Sequence, residues 1–231
     1  MVEGFNVDKT SPKPDCIACT EAKQHIEPFP KSTDRQTEPG NLTHIDLWGK
    51  YAVRSINGNQ YYCVLVDDAT RYTSIYFQKE KSEATQTVIN HLTRLPTQDR
   101  KPKAINIDRG KEFINEKLET WCNEHGIEIR LTAPYSPSQN GVAERMNRTI
   151  EELARAMLTG QDLPEFLWEH ACLHAVYIRN RSYTKIMGTL TPYQGWHKTK
   201  PNVAHLREFS APVWILLQGP KQDKKLLPKS K

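Results

Sequence analysis

The sequence lacks any apolar run long enough to span a bilayer, and its N-terminus is polar, so neither membrane insertion nor secretion is expected and no membrane partner is implied. It also lacks the makings of a disulfide framework. Its five cysteines (Cys16, Cys19, Cys63, Cys122, Cys172) are an odd number without a secretory signal, which favours reduced thiols. A chain of 231 residues can bury one good-sized core without covalent staples, and Cys63, Cys122 and Cys172 read as filler for it. No internal repeat is apparent. Outside the C-terminus there is little net charge: residues 218–231 hold five Lys against Asp223, so +4 of the net +5 sits there and the body is close to neutral at +1. A neutral body does not by itself call for a polyanionic partner, so any such partner must be argued from local patches and the tail.

Residues 1–40 are rich in Pro, Lys, Asp and Thr and read as an irregular arm. Strands are expected over 43–48, 61–66 and 72–77, with the Asn57-Gly58-Asn59 turn arguing for antiparallel hairpins. The 61–66 run is apolar on both faces and reads as a central strand. Asp67 and Asp68 close it as turn residues. A helix over 82–95, a strand ending at Asp108, a helix from Asn115 that stops at Gly126, and a strand over 127–131 follow. The next helix starts near Gly141. Asp162-Leu-Pro164-Glu165 opens another, with Pro at its first position and a core stripe of Leu163, Phe166, Leu167, Ala171, His174, Ala175 and Ile178. Residues 183–200 read as loop and 213–217 as a last strand. Three strands followed by alternating helix and strand give an α/β fold, a mixed five-stranded sheet with helices on both faces, as a ribonuclease-H-like fold requires.

Three carboxylates stand in matching settings. Ile45 and Leu47 flank Asp46, while Ile105 and Ile107 precede Asp108, so each Asp lies on the strand face opposite its apolar neighbours. Strands deplete Asp. Glu144 lies in the first turn of a helix whose stripe is Ala143, Met146, Ile150, Leu153, Ala154 and Met157, where unpaired N–H groups favour a negative charge; Asn140 or Gly141 is the candidate cap. The plain alternative for Glu144 is a surface ion pair with Arg148 four residues on. Thirty-five residues separate Asp108 from Glu144.

That order and interval resemble the catalytic core of retroviral and retrotransposon integrases. The strings Asp108-Arg-Gly-Lys-Glu-Phe, Asn140-Gly-Val-Ala-Glu-Arg-Met-Asn-Arg, Asn180-Arg-Ser, Thr191-Pro-Tyr and His205-Leu-Arg-Glu-Phe-Ser-Ala are similar to the Ty1/copia class, with the resemblance covering roughly 14–217. It implies three parts: an N-terminal arm (1–40) that is the remnant of a His-His-Cys-Cys zinc domain, a catalytic core (41–200), and an extension with a basic tail (201–231). Cys16 and Cys19 have zinc-ligand spacing but offer only half of a four-ligand site. His25 and His44 are further candidate donors, and the resemblance implies that the missing histidines precede Met1, so Zn²⁺ is expected only where that domain is complete. Arg109, where Asn is commoner, and Ser210, where Gly is common, depart from the family pattern.

By that resemblance Asp46, Asp108 and Glu144 are catalytic and hold two Mg²⁺ (or Mn²⁺) ions, Asp46 bridging them. Hard cations take oxygen ligands, and a pair about 3.5–4 Å apart activates an oxygen nucleophile and neutralises charge on phosphate. The implied reaction is the joining of a retrotransposon DNA 3′-end to target DNA, by a homo-oligomer acting in the nucleus after an earlier stage in cytoplasmic virus-like particles. Lys111, Tyr135, Ser138, Gln139, Asn140, Arg145 and Arg148 surround the triad as candidate DNA contacts, each Arg being equally a surface ion-pair partner. Two rival readings remain open: a catalytically silent or host-recruited relic that only binds nucleic acid, and a ribonuclease-H-like nuclease. Deletion of residues 218–231 is expected to weaken duplex DNA binding and flatten its salt dependence, each lost phosphate contact removing a log–log slope of about 0.9. An unchanged slope would instead assign the phosphate contacts to Arg145, Arg148 or Lys111.

Overall fold

In a computed structural model, the structure describes residues 36–108, 110, 112–132 and 141–213. Its five strands are β1 (Leu42–Trp48), β2 (Tyr61–Asp67), β3 (Thr73–Gln78), β4 (Ala104–Ile107) and β5 (Glu128–Leu131). They form one sheet in the order β3-β2-β1-β4-β5. The first three pair as antiparallel hairpins, and β4 and β5 run parallel to β1. The helices are α1 (Ala84–Arg94), α2 (Glu116–Glu124), α3 (Gly141–Gly160), α4 (Trp168–Arg181) and α5 (Pro192–His197).

Period-two alternation divides the apolar residues between two cores. Ile45, Cys63, Leu65, Ile105 and Ile107 meet Val88, Leu92, Leu118 and Cys122 of α1 and α2 on one face, where Trp196 of α5 also packs. Tyr62, Val64 and Val66 meet Ala143, Met146, Ile150, Trp168, Ala171 and Cys172 of α3 and α4 on the other. Residues from β2 enter both cores, so the doubly apolar run expected of an inner strand is one, although β1 holds the middle place. The three cysteines in these cores are free and buried, and burial holds their thiols well above the usual range, that of Cys172 at about 12.

Local signals account for the element ends. Asn115 caps α2 by accepting from the Leu118 amide at 3.0 Å, and Gly126 leaves the helix with φ +65°, a conformation that favours glycine. Asp67 accepts from the Gly40 amide (2.7 Å) and from the Thr70 amide and hydroxyl (2.7 and 2.6 Å), which makes it a turn-builder. Burial works against ionisation of Asp68, yet hydrogen bonds from His44, Gln36 and Arg71 outweigh it and hold the carboxyl well below its usual range. His44 is therefore not a zinc donor: its ring is buried between Asp68 (3.0 Å) and Asn106 (3.2 Å).

Several expectations are corrected. The helix placed at 82 opens as a 3-10 turn, Lys81–Glu83, held by the Glu83 carboxylate accepting from the Glu80 amide at 2.8 Å. Asp162 does not cap the next helix; at φ +48° it belongs to the turn that ends α3, Pro164 precedes a 3-10 turn, and α4 proper begins at Trp168. Phe166 is accordingly exposed, and the core position passes to Trp168, whose indole donates to the Val53 carbonyl at 3.0 Å. Residues 183–200 are not all loop, because Thr191 accepts from the Gln194 amide and caps α5. Ser210 sits at φ +70°, a backbone region where a side chain is strained, which gives the departure from Gly a physical cost. The strand expected at 213–217 lies almost wholly outside the described residues, as do Cys16, Cys19, His25 and the basic tail.

Leu92 is fully buried in the α1–α2 core, whereas Leu173 on α4 is 53% exposed. Leu92→Ala is expected to cost about 2–5 kcal/mol in urea unfolding, and Leu173→Ala less than about 0.5 kcal/mol. Equal costs would contradict this assignment of the core.

Candidate active site

Strand register sets the first two carboxylates side by side. β1 and β4 pair His44 with Asn106, and the next step of two residues brings Asp46 level with Asp108, which follows the last residue of β4. Both sit on the α3 face, because Ile45, Ile105 and Ile107 occupy the other. Asp46 accepts from the Leu47 amide at 3.0 Å, and Asp108 from the Gly110 amide at 3.0 Å. The turn beyond is tied to α1 through Thr85, whose hydroxyl donates to the Glu112 carbonyl at 2.8 Å, and through fully buried Phe113.

From the opposite side α3 brings Glu144 in its first turn and Asn147 one turn on. The Asn147 amide group donates to the second Asp46 oxygen at 2.7 Å. Asn147 is buried, and among the described residues its own carbonyl oxygen has no hydrogen-bond partner. Sequence reasoning passed over Asn147. Its signal was available, since it lies three residues after Glu144 and next to Met146 at the border of the apolar stripe, where a polar residue needs a partner.

Burial raises the Asp46 carboxyl to about 6; the Asn147 and Leu47 hydrogen bonds pull it back, while the nearby charges of Asp108 and Glu144 push it further up. The three carboxylates thus share one field. Their convergence is nevertheless incomplete: among the described residues no three of His, Cys, Asp and Glu form a ready-made metal-binding group. Like charges without a cation between them repel, and Glu144 is exposed where Asp46 and Asp108 are partly buried. The alternative role of Glu144 is not realised either, because among the described residues the ion pair on α3 is Arg155–Glu151 at 4.0 Å, and Glu144 and Arg148 form none. Arg145 and Arg148 are exposed beside the site, with the Arg145 guanidinium lying close over Gly141. Arg109, Lys111, Tyr135, Ser138, Gln139 and Asn140 lie outside the described residues.

The donor set fits a hard divalent cation. It offers carboxylate oxygens, one pair of them on a group raised to about 6 by burial and like charge, together with a buried amide oxygen that has no donor among the described residues. The same electrostatics fix a pH dependence. The folded-state Asp46 lies at about 6 against 3.8 for the ordinary group, so between these values the unfolded chain ionises first and stability falls as pH rises. Asp46→Asn keeps an acceptor for Asn147 and removes that penalty. In metal-free buffer the variant is expected to exceed the parent by about 1–3 kcal/mol at pH 7, with the gain gone below about pH 4. Urea melts across pH check this, and a variant no more stable at pH 7 would contradict a raised Asp46.

Residues 36–137 match the family described as Integrase core domain, a span that holds β1 to β5 and stops short of α3. The chain is 34% identical over 224 residues to the Retrovirus-related Pol polyprotein from transposon TNT 1-94 of Nicotiana tabacum, covering 95% of this chain and 17% of that one. It is 31% identical over 224 residues to the Retrovirus-related Pol polyprotein from transposon RE2 of Arabidopsis thaliana, covering 94% and 15%. It thus spans about a sixth of the curated relatives it matches. Among solved structures, a chain of the simian T-cell lymphotropic virus intasome in complex with PP2A regulatory subunit B56 gamma is similar with TM-score 0.60 and 22% identity, covering 93% of this chain and 74% of that one. The HTLV-2 integrase catalytic core domain in complex with magnesium, trimeric form, gives TM-score 0.52 and 22% identity, covering 71% and 100%. These likenesses identify the fold as ribonuclease-H-like. Matched to an integrase core domain over 36–137 and to part of two plant retrotransposon Pol polyproteins over most of its length, the chain has the likeness of a retrotransposon integrase core.

Proposed function

We propose that this chain is the catalytic core of a Ty1/copia-type integrase, which joins element DNA 3′-ends to target DNA by divalent-metal-dependent strand transfer. The observation that carries the reading is the partly buried Asp46 carboxyl, raised to about 6 by burial with Asp108 and Glu144 both contributing to its field. Such an arrangement is unfavourable for a bare protein and is relieved by a cation. Asp46, Asp108 and Glu144 would hold Mg²⁺ or Mn²⁺, two ions on this reading. When bound, the metal supplies charge neutralisation at the phosphate and activation of an oxygen nucleophile. The chain's own contributions are orientation and charge: Asn147 fixes one Asp46 oxygen and the Leu47 amide the other. Glu144, exposed on the first turn of α3, has the freedom to close on the site, and Arg145 and Arg148 beside it offer guanidinium groups to phosphate.

On this reading the partners are element-end DNA, target DNA and further copies of the chain, and the place of action is the nucleus. The core occupies 41–200, between an arm whose Cys16 and Cys19 contribute half of a zinc site and a C-terminal extension whose basic tail contacts phosphate. Lys111, Tyr135, Ser138, Gln139 and Asn140 complete the approach for DNA.

Glu144→Gln keeps size and helix while removing a charge that holds metal. The parent chain is expected to resolve a pre-branched DNA substrate, the reverse of joining, with Mg²⁺ or Mn²⁺. The Gln variant should lose that activity by at least about 100-fold while retaining DNA binding. Metal-dependent release of short fragments without rejoined product would convert the assignment to a nuclease. Binding with neither reaction, in a chain extended at both ends, would leave a silent nucleic-acid binder.

A further inference from the structure

At the β3 edge of the sheet, on the face covered by α1 and α5, a cavity of about 390 Å³ opens away from the carboxylate site. No carboxylate lines it; Arg94 and Arg100 do, together with Tyr72, Tyr76, His91 and Trp196. Among the described residues neither guanidinium has an ion-pair partner. Arg100 is held without being neutralised: its N–H groups donate to the backbone carbonyls of Asp99, at 3.2 Å, and Trp196, and its guanidinium lies 5.1 Å from the centre of the Trp196 ring. Backbone carbonyls fix the fork in place but carry only partial charge. Arg94, at the end of α1, is exposed at the rim.

The remaining walls are aromatic and neutral. Tyr72 stacks on Trp196 with ring centres 5.2 Å apart and planes at 11°. The Tyr76 hydroxyl bonds the His91 ring at 3.0 Å, and burial, reinforced by Arg94, keeps that imidazole uncharged. Two uncompensated guanidiniums, hydroxyl groups and π-faces around a cavity of ligand size are what a phosphate ester on an aromatic base requires: arginine forks match phosphate oxygens, and bases pack on aromatic rings. We propose that this cavity binds a nucleotide through its phosphate, either a free mononucleotide or the terminal nucleotide of a strand. The inference stands on residues separate from the carboxylate site and does not depend on the strand-transfer reading.

The indole N–H of Trp196, assigned in NMR spectra of the whole chain with Trp196→Phe, reports occupancy. Titration with 5′-deoxyadenylate is expected to move it saturably, whereas deoxyadenosine, which lacks the phosphate, should not. Arg94→Gln changes an exposed residue and should weaken the binding by roughly tenfold; Arg100→Lys, which keeps the charge and loses the fork, should weaken it too. A 5′-phosphorylated trinucleotide that binds more tightly than 5′-deoxyadenylate assigns the cavity to strand ends, and equal affinity assigns it to free nucleotide. Deoxyadenosine or inorganic phosphate binding as tightly as the nucleotide, an unchanged affinity in Arg94→Gln, or no saturable shift with any probe would each overturn the proposal. Asp46→Asn should leave this binding intact and Arg94→Gln should leave Mg²⁺ affinity intact, so failure here and failure of the carboxylate site are read separately.

Discussion

The 2.7 Å hydrogen bond from Asn147 to Asp46 ties α3 to β1 at a point where neither partner is fully wetted. An aspartate placed among apolar strand residues pays for its desolvation only if something donates to it. Asn147 meets that need from a helix that also has to bury Ala143, Met146 and Ile150 against Tyr62, Val64 and Val66. The same contact therefore fixes how far along β1 the helix docks. Because Glu144 lies one turn earlier, its distance from Asp46 is set by that docking and by its own rotamer.

What holds α3 in place is in turn the packing of α4, which presents Trp168, Ala171 and Cys172 to the same core. Two polar anchors lock α4 to the hairpins. At its N-terminal end the Glu169 carboxylate accepts from Ser55 (2.6 Å), Asn57 (3.1 Å) and Asn59 (3.0 Å), binding the β1–β2 connection; these hydrogen bonds outweigh burial and hold its carboxyl below the usual range. At its C-terminal end the Asn180 amide copies a strand partner for β3, accepting from the Thr73 amide at 2.9 Å and donating to the Thr73 carbonyl at 2.8 Å. An edge strand with unpaired backbone groups is thereby covered locally by a side chain. The Asn180-Arg-Ser string that suggested kinship in the sequence is, in physical terms, this edge cap. His205 and Phe209 of the later string act similarly on α4, His205 bonding Tyr177 at 2.6 Å and Phe209 packing on His174.

The strands, their hairpin order and the two carboxylates facing α3 were legible because period-two alternation is a direct image of a sheet with two buried faces: Ile45 and Leu47 can only share a face if Asp46 takes the other. Helix ends were less legible. Asp162, Pro164 and Glu165 carry every local mark of a helix start, yet the left-handed backbone at Asp162 spends the capping residue on the turn out of α3, a competition that no local pattern encodes. Asn147 and Trp168 were missed for a related reason. Each has a partner more than 100 positions away, Asp46 and Val53 respectively, so its role exists only once β1 and its hairpin are in place. His44 failed in the opposite sense: as a free donor in the sequence it suited a metal, and the fold engaged both ring nitrogens with Asp68 and Asn106 before any metal could use them.

A further consequence of the topology concerns charge. The sheet is a low-dielectric layer, with Ile45, Leu65 and Ile105 fully or almost fully buried along its centre, and it separates the carboxylates on the α3 side from Arg94 and Arg100 on the α1 side. If those guanidiniums faced the carboxylates they would compensate them directly, pull Asp46 back toward an ordinary acidity and remove its electrostatic demand for a cation. The raised Asp46 is therefore a property of the whole fold: it requires burial against α3, two like-charged neighbours, and the placement of these bases on the far side of the sheet. Arg145 and Arg148, described residues beside the site, sit in solvent where screening is strong. They lie near enough to meet an incoming anion, and water keeps them from satisfying the site in its absence.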